Sequence, residues 1–212
     1  FITHAHDDHF DALGVILKNP GSLKINTLYA SLPTQAWIDQ VGTESERASF
    51  ARFHKALAQA GRTITALDLG QKLEIDGIRI EVLGVENPEI TRNAVNNSSL
   101  VLRMSDAAKS VLFPGDLGVE GGQKLLESPL ADRLPSDYVQ MAHHGQNGVS
   151  EAFYQRVNPT YCLWPTPEWL WNNDSGGGKN SGTWRTLEVR AWMDKLPIKA
   201  HYPMFQGVAR IE

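Results

Sequence analysis

Phe1-Ile2-Thr3-His4-Ala5-His6-Asp7-Asp8-His9 opens the chain and decides how the rest of it is read. Three histidines and two carboxylates fall within six residues, between an apolar run that reads as the end of a β-strand and Phe10-Asp11-Ala12-Leu13, which reads as helix. Such a density of nitrogen and oxygen donors is metal-ligand chemistry rather than core composition. With the backbone extended from His4 to His6, side chains two apart point the same way, so both imidazoles reach one ion above the strand end. Asp8 and His9 lie in the turn into the helix, aimed at a second ion beside the first. These donors suit Zn²⁺, with Mn²⁺ or Fe²⁺ as alternatives. A histidine-rich surface turn is the plainer reading; against it stands the position, since strand-to-helix turns are where α/β proteins place their chemistry.

Outward from that stretch, apolar spacing predicts helices from Asp8 to Lys18, Thr34 to Val41 and Glu44 to Ala60. Strands are expected from Ile25 to Ser31 and from Thr63 to Leu67. A hairpin of Gln71–Ile75 and Ile78–Val85 turns at Asp76-Gly77, a strong two-residue turn signal. The alternation of Ile78, Ile80 and Val82 with Arg79 and Glu81 suits a sheet with one buried face. His54, alone within a helix, reads as a packing or surface residue. No repeat and no low-complexity linker divides the chain, so residues 1–212 read as one domain.

Two later stretches carry chemistry. Asn96-Asn97-Ser98-Ser99 leads into strands at Leu100–Met104 and Val111–Phe113, and the second runs into Pro114-Gly115-Asp116. Asp116 stands at a strand's carboxyl end, placed either to cap a helix from Val119 to Glu127 or to bind metal. Asp137 to Ala142 then reads as a strand running into His143-His144-Gly145. Consecutive side chains on a strand diverge, which gives the two histidines different jobs. His144 is assigned to metal and His143 to substrate or protons, with the reverse as the competing assignment. Glu151–Val157 reads as helix and Tyr161–Trp164 as strand. The glycine-rich loop after them carries Trp169 and Trp171, as packing or as a substrate lid. A helix from Thr183 to Leu196 and strands at Ile198–His201 and Val208–Ile211 complete the chain, with His201 read as packing.

Composition sets bounds. The 212 residues suffice for one sizeable core, and 42% hydrophobic with 21% charged residues is ordinary for a globular chain. A net charge of −4 gives no general attraction to nucleic acid. The lone Cys162 excludes an intrachain disulfide and a cysteine zinc cluster, and reads as core. No stretch approaches the ~20 apolar residues of a membrane span, and a cytoplasmic location is the default expectation. The oligomeric state is not legible.

His4-Ala5-His6-Asp7-Asp8-His9 resembles the HxHxDH signature of the metallo-β-lactamase superfamily. The order of HxHxDH, Asn96–Leu102, Phe113–Asp116 and His143–Gly145 is similar to the soluble hydrolase domain of bacterial DNA-uptake (competence) channel proteins and its free-standing relatives. The resemblance implies an α/β (α+β) chain folded as a four-layer αβ/βα sandwich, with strands expected before this N-terminus. It implies two divalent ions, Zn²⁺ foremost, held by His4, His6, Asp8, His9, Asp116 and His144, with Asp116 bridging. Asp8 and His143 are the catalytic groups, and Asp7 is expected to fix a histidine tautomer. The function implied is metal-dependent hydrolysis by a metal-bound hydroxide, with a small or nucleotide-like phosphodiester as substrate. An ester, lactone or β-lactam is the alternative substrate, and a non-catalytic metal-binding module the alternative function. Two departures bear on substrate and ligand count. Asn180-Ser181-Gly182-Thr183-Trp184 lacks the histidine those relatives carry there, and no histidine lies between His54 and His143.

Overall fold

The computed structural model describes residues 1–210. In chain order the elements are α1 (Asp7–Lys18), β1 (Leu28–Ala30), α2 (Gln35–Val41), α3 (Glu44–Gln59), β2 (Ile64–Ala66), β3 (Lys72–Ile75), β4 (Ile78–Gly84) and α4 (Ala94–Asn97). They continue with β5 (Val101–Ser105), β6 (Ser110–Phe113), α5 (Val119–Leu126), β7 (Tyr138–Gln140), α6 (Glu151–Val157), β8 (Tyr161–Trp164), α7 (Glu168–Trp171), α8 (Thr186–Met193) and β9 (Ala200–Pro203).

Among the described residues β1 and β2 pair in parallel as a small sheet, while β3 to β9 form a larger sheet in sequence order. β3 to β6 are antiparallel neighbours and β6 to β9 parallel ones. Three apolar clusters show how these stack. Phe10, Ile38, Phe50, Phe53 and Leu57 pack α1, α2 and α3 onto the small sheet at Leu28 and Ala30. Ile80, Val82, Leu100 and Leu102 meet Leu67 and Tyr29 between the two sheets. Leu125, Phe153, Val157, Val189 and Met193 cover the outer face of the large sheet at Leu112, Val139 and Cys162. The order helices, sheet, sheet, helices is the expected four-layer α/β sandwich. Alternation assigns the faces: Leu102 points between the sheets and its neighbour Val101 toward the outer helices.

β4 departs from the one-buried-face reading, because Ile80 to Leu83 are all buried. Glu81, 3% exposed, is kept charged inside by Arg133, whose Nη2 donates to both carboxylate oxygens at 2.7 Å, and by Arg103 at 3.5 Å. The Asp76-Gly77 turn forms as expected, with both residues at positive φ (51° and 79°). The strand expected at Val208–Ile211 is corrected: Val208 to Arg210 are irregular, and Ile211 lies outside the described residues. Cys162 is buried, and burial pushes its thiol up to about 12, which suits packing rather than reactivity.

The parallel run from β6 to β9 sends successive strands out at one edge of the sheet, so the segments after β6, β7 and β8 gather there. The opening stretch reaches the same edge. Ile2 pairs with Ala30 beside β1, and Leu100 N–H donates to Thr3 O at 2.7 Å, tying that stretch to the start of β5.

Gly145 is a tight point of this edge. Its φ is +77°, and a Cβ there would lie 2.4 Å from ring atoms of buried Trp164. Gly145→Ala is therefore expected to destabilise the fold by about 2–4 kcal/mol, from backbone strain and overpacking together; a urea unfolding midpoint unchanged from the parent would refute this.

Candidate metal centre

Asp116 sits at the bottom of the site, 2% exposed, on the turn that follows β6. Gly115 makes that turn at φ +59°, where a Cβ would press on Ser99 and Thr3 at about 3.0–3.1 Å. Ser99 Oγ accepts the Asp116 N–H at 3.0 Å, and this anchors the Asp116 backbone. Around Asp116 Oδ2 stand four imidazole nitrogens: Nε2 of His9 and of His144 at 3.3 Å, of His143 at 3.9 Å and of His4 at 4.0 Å. Asp8 Oδ2 lies 3.2 Å from His144 Nε2 and 3.5 Å from His9 Nε2.

The structure thus brings two ligand-type groups together, His4 with His9 and Asp116, and Asp8 with His9 and His144. His9 is shared between them. His6 joins neither group; its Nδ1 faces His4 Nε2 at 3.0 Å, so these two rings do converge. They converge although the strand stops short of His4, the backbone bending at His4 and Ala5 before α1 begins.

The histidine pair departs from expectation in its backbone. β7 ends at Gln140, and His143 and His144 both adopt left-handed conformations, with φ of 50° and 57°. Side chains that would diverge on a strand are thereby both turned toward Asp116. Two such residues in sequence cost on the order of 1–3 kcal/mol each, and several contacts hold them. His143 N–H donates to Gly115 O at 3.1 Å, Tyr154 OH accepts from Ala142 N–H at 3.1 Å, and Thr166 Oγ1 donates to His144 O. His144 Nδ1–H donates to Pro165 O at 3.0 Å, leaving Nε2 for the site.

Charge in this cluster is strongly coupled. Hydrogen bonds to Asp116 and Asp8 push His144 up to about 10. The bond from His144 takes Asp8 down to about 2. Burial opposes ionisation of Asp116, yet the imidazoles of His144, His9 and His4 outweigh it and hold its carboxyl far below the usual range. Burial keeps His4 well below its ordinary value, and lowers His143. Even so, His9 Nε2 and Asp116 Oδ1 are buried without a hydrogen-bond partner.

Three supporting residues escaped the sequence reading. Thr3 Oγ1 meets Nδ1 of His4 at 3.0 Å and of His9 at 3.3 Å, so one hydroxyl sets the outward nitrogens of two rings. Glu46, on α3, takes His6 Nε2–H at 2.7 Å. Ser99 is the third. Asp7, expected to fix a tautomer, instead accepts the Asp8 N–H at 3.0 Å in the first turn of α1, and among the described residues it makes no hydrogen bond or ion pair with a histidine. Thr3 could have been suspected from its place before His4. Thr43-x-x-Glu46 reads only as a helix start.

A cleft of about 340 Å³ opens above, with His6, Asp8, Asp116, His143 and His144 on its floor and Gln146, Pro167, Trp169 and Leu170 as its wall. The loop's two tryptophans divide their work. Trp171 packs inward against Trp164 and under the Arg190 guanidinium, 4.0 Å from its ring. Trp169 stays 51% exposed on the cleft wall, braced by Trp184. His201 accepts from Trp164 Nε1 at 2.9 Å and serves packing, and His54 stands edge-on to Phe50.

In fold the chain resembles solved metallo-β-lactamase fold proteins. No family model matches it. The chain is 29% identical over 165 residues to ComE operon protein 3 of Bacillus subtilis (strain 168), which covers 76% of this chain and 19% of that much longer protein. A variant of the β-hydroxylase CmlA superposes with a TM-score of 0.55 at 16% identity, over 95% of this chain and 42% of its own. YhfI, a metallo-β-lactamase fold protein from Bacillus subtilis, gives a TM-score of 0.48 at 12% identity, over 95% and 72%.

The coupled charges predict how the chelator-treated protein responds to pH. His144 rises from 6.5 to about 10 on folding, so its contribution is complete below pH 6.5 and is lost as pH climbs toward 10. Asp8 falls from 3.8 to about 2, so its contribution is complete above pH 3.8 and is lost as pH drops through 2. Stability of the metal-free protein is therefore expected to fall between pH 6.5 and 10. His144→Gln should flatten that fall; denaturation midpoints that do not differ across the window would contradict it.

Proposed function

We propose that this chain is a metal-dependent hydrolase holding two divalent ions, Zn²⁺ foremost, and acting on a small or nucleotide-like phosphodiester. The observation that carries the metal reading is the pair of orphaned atoms. His9 Nε2, 3.3 Å from Asp116 Oδ2 and 3.5 Å from Asp8 Oδ2, and Asp116 Oδ1 are both buried and have no hydrogen-bond partner. An unpaired buried polar group costs about 1–3 kcal/mol, and a cation among these atoms removes that cost. The donor set of imidazole nitrogens and carboxylate oxygens fits zinc. His4, His6 and Asp116 would hold one ion, and Asp8, His9 and His144 the other, with Asp116 shared.

The metals, when bound, would supply an activated water near neutral pH and neutralise charge on the reacting phosphoryl oxygens. The rest is done by this chain's side chains. Asp8, partly exposed at the cleft floor, orients the attacking water. His143 faces the same cleft, and burial leaves it mostly neutral at pH 7. It collects the proton the water gives up and delivers it to the departing oxygen, which balances the step. Trp169 offers a flat face to an aromatic or nucleobase group on the substrate. The phosphodiester reading draws support from the order of motifs, and an ester, lactone or β-lactam is the competing substrate.

Elemental analysis with hydrolysis of bis(p-nitrophenyl) phosphate tests this. The expectation is about two equivalents of zinc or manganese per chain and turnover abolished by chelator. Metal without turnover would shift the assignment to a carboxylic ester, and a protein that purifies and stays metal-free would end the metal reading. Asp116→Ala is expected to cut turnover by more than about 100-fold, beyond the usual cost of losing an indirect metal contact. Trp169→Ala is expected to raise KM for an aryl or nucleoside phosphodiester about tenfold, as loss of stacking does, with kcat little changed; equal KM values would remove Trp169 from substrate binding.

A further inference from the structure

Glu46 lies 40 residues from His6 and on a different helix, yet its side chain serves both helix and site. Oε2 accepts the Thr43 N–H at 2.6 Å while Thr43 Oγ1 accepts the Glu46 N–H at 3.2 Å, which closes a capping box at the start of α3. Oε1 accepts the hydrogen bond that His6 Nε2–H donates at 2.7 Å. Arg47 stiffens the same turn by donating to Gly42 O at 2.6 Å. α3 packs along α1, the helix that begins directly after His6, so the capped turn is a fixed buttress beneath this histidine.

The consequence concerns the tautomer. A carboxylate only accepts, so the bond to Oε1 commits the His6 proton to Nε2. The lone pair is then on Nδ1, the atom that faces His4 Nε2 across 3.0 Å. Without Glu46 the ring is free to rotate or to carry its proton on Nδ1, and neither state presents a donor there.

We infer that Glu46 is a positioning residue whose carboxylate couples the N-terminus of α3 to metal capture by His6, so that metal binding and the capping of this helix reinforce each other. The inference rests on the metal reading above. It adds a residue that touches neither substrate nor ion, and it predicts that zinc tightens a helix end that does not itself line the cleft.

The test compares Glu46→Leu, Glu46→Gln and Thr43→Ala with the parent, using zinc competition against a chromophoric chelator, urea denaturation of zinc-free protein, and hydrogen exchange. Thr43→Ala loses one capping bond but leaves both Glu46 oxygens in place. It should lose stability while keeping zinc affinity within about twofold. Glu46→Leu should lose stability and bind zinc about 10–100-fold more weakly, the usual cost of removing a carboxylate behind a metal-binding histidine. An amide can serve Thr43 or His6 but not both, so Glu46→Gln must lose either the cap or the affinity. Zinc should slow exchange of the Thr43 and Glu46 amides in the parent and in Thr43→Ala, and leave them unchanged in Glu46→Leu. Parent-like zinc affinity in Glu46→Leu, or a Glu46→Gln variant that loses nothing, overturns the inference with the metal reading intact. A parent protein that binds no zinc overturns both.

Discussion

A carboxylate buried as deeply as Asp116 is the constraint from which the rest of the site follows. Removing an isolated charge from water costs several kcal/mol even after relaxation, and at 2% exposure Asp116 has almost no water to soften that. The offset comes from the imidazoles crowded round Oδ2, and these come from stretches far apart in the chain: His4 and His9 from the opening stretch, His143 and His144 from the turn after β7. No local propensity could assemble that set. The parallel pairing of β6 with β7, and the bridge of Ile2 to Ala30, deliver the segments to one edge.

Holding Asp116 there takes a scaffold of its own, which Asn96-Asn97-Ser98-Ser99 supplies. Ser99 receives the Asp116 N–H. Asn97, fully buried, receives the Gly121 N–H at 2.8 Å and donates to Arg92 O at 2.9 Å. Asn97 thus satisfies from outside the helix a first-turn donor of α5, whose N-cap Gly118 has no side chain to do it. Gly118 and Gly121 are glycine for the same reason, since a Cβ at either would stand 2.7 or 2.9 Å from Asn97 Oδ1. Asp116 is therefore clamped between Ser99 behind it and a helix start pinned by Asn97 ahead of it. The asparagines and serines work here as structure.

Much of this was legible in the sequence because short-range chemistry carried it. His4, His6, Asp8 and His9 stand close enough along the chain that any turn into a helix must gather them. Gly115-Asp116 and His143-His144 announce strand ends by their apolar approach. Asp76-Gly77 fixes its hairpin by φ alone. What escaped depends on long-range packing. Glu46 meets His6 only because α3 lies along α1, and in sequence it is a helix-start residue like many others. The left-handed His143 and His144 were invisible for a different reason, because nothing in L-residues favours that conformation. Tyr154, Pro165 and Thr166 impose it from elements that come later in the chain. Asp7 misled because proximity to histidines is not contact; the first turn of α1 points it at its own backbone. Glu81 misled because alternation reports polarity, and a charge met by Arg133 inside a sandwich has the same pattern as one facing water.

The same atoms that would bind metal are also suited to share a proton. His144 donates from Nδ1 to Pro165, so a second proton on Nε2 makes it an imidazolium set between Asp8 and Asp116. A single positive charge there relieves both carboxylates, and this explains why one residue is driven up to about 10 while Asp8 is driven down to about 2. The relief is incomplete, because one proton has one direction, and His9 Nε2 and Asp116 Oδ1 are left without partners. A divalent ion carries more charge and accepts donors from several sides at once. Under the metal reading it must first displace the His144 proton, so capture becomes harder as pH falls below the imidazolium's own pKa. The imidazolium between the two carboxylates is thus what an incoming ion would compete against, and the two orphaned atoms are ones that the ion would satisfy.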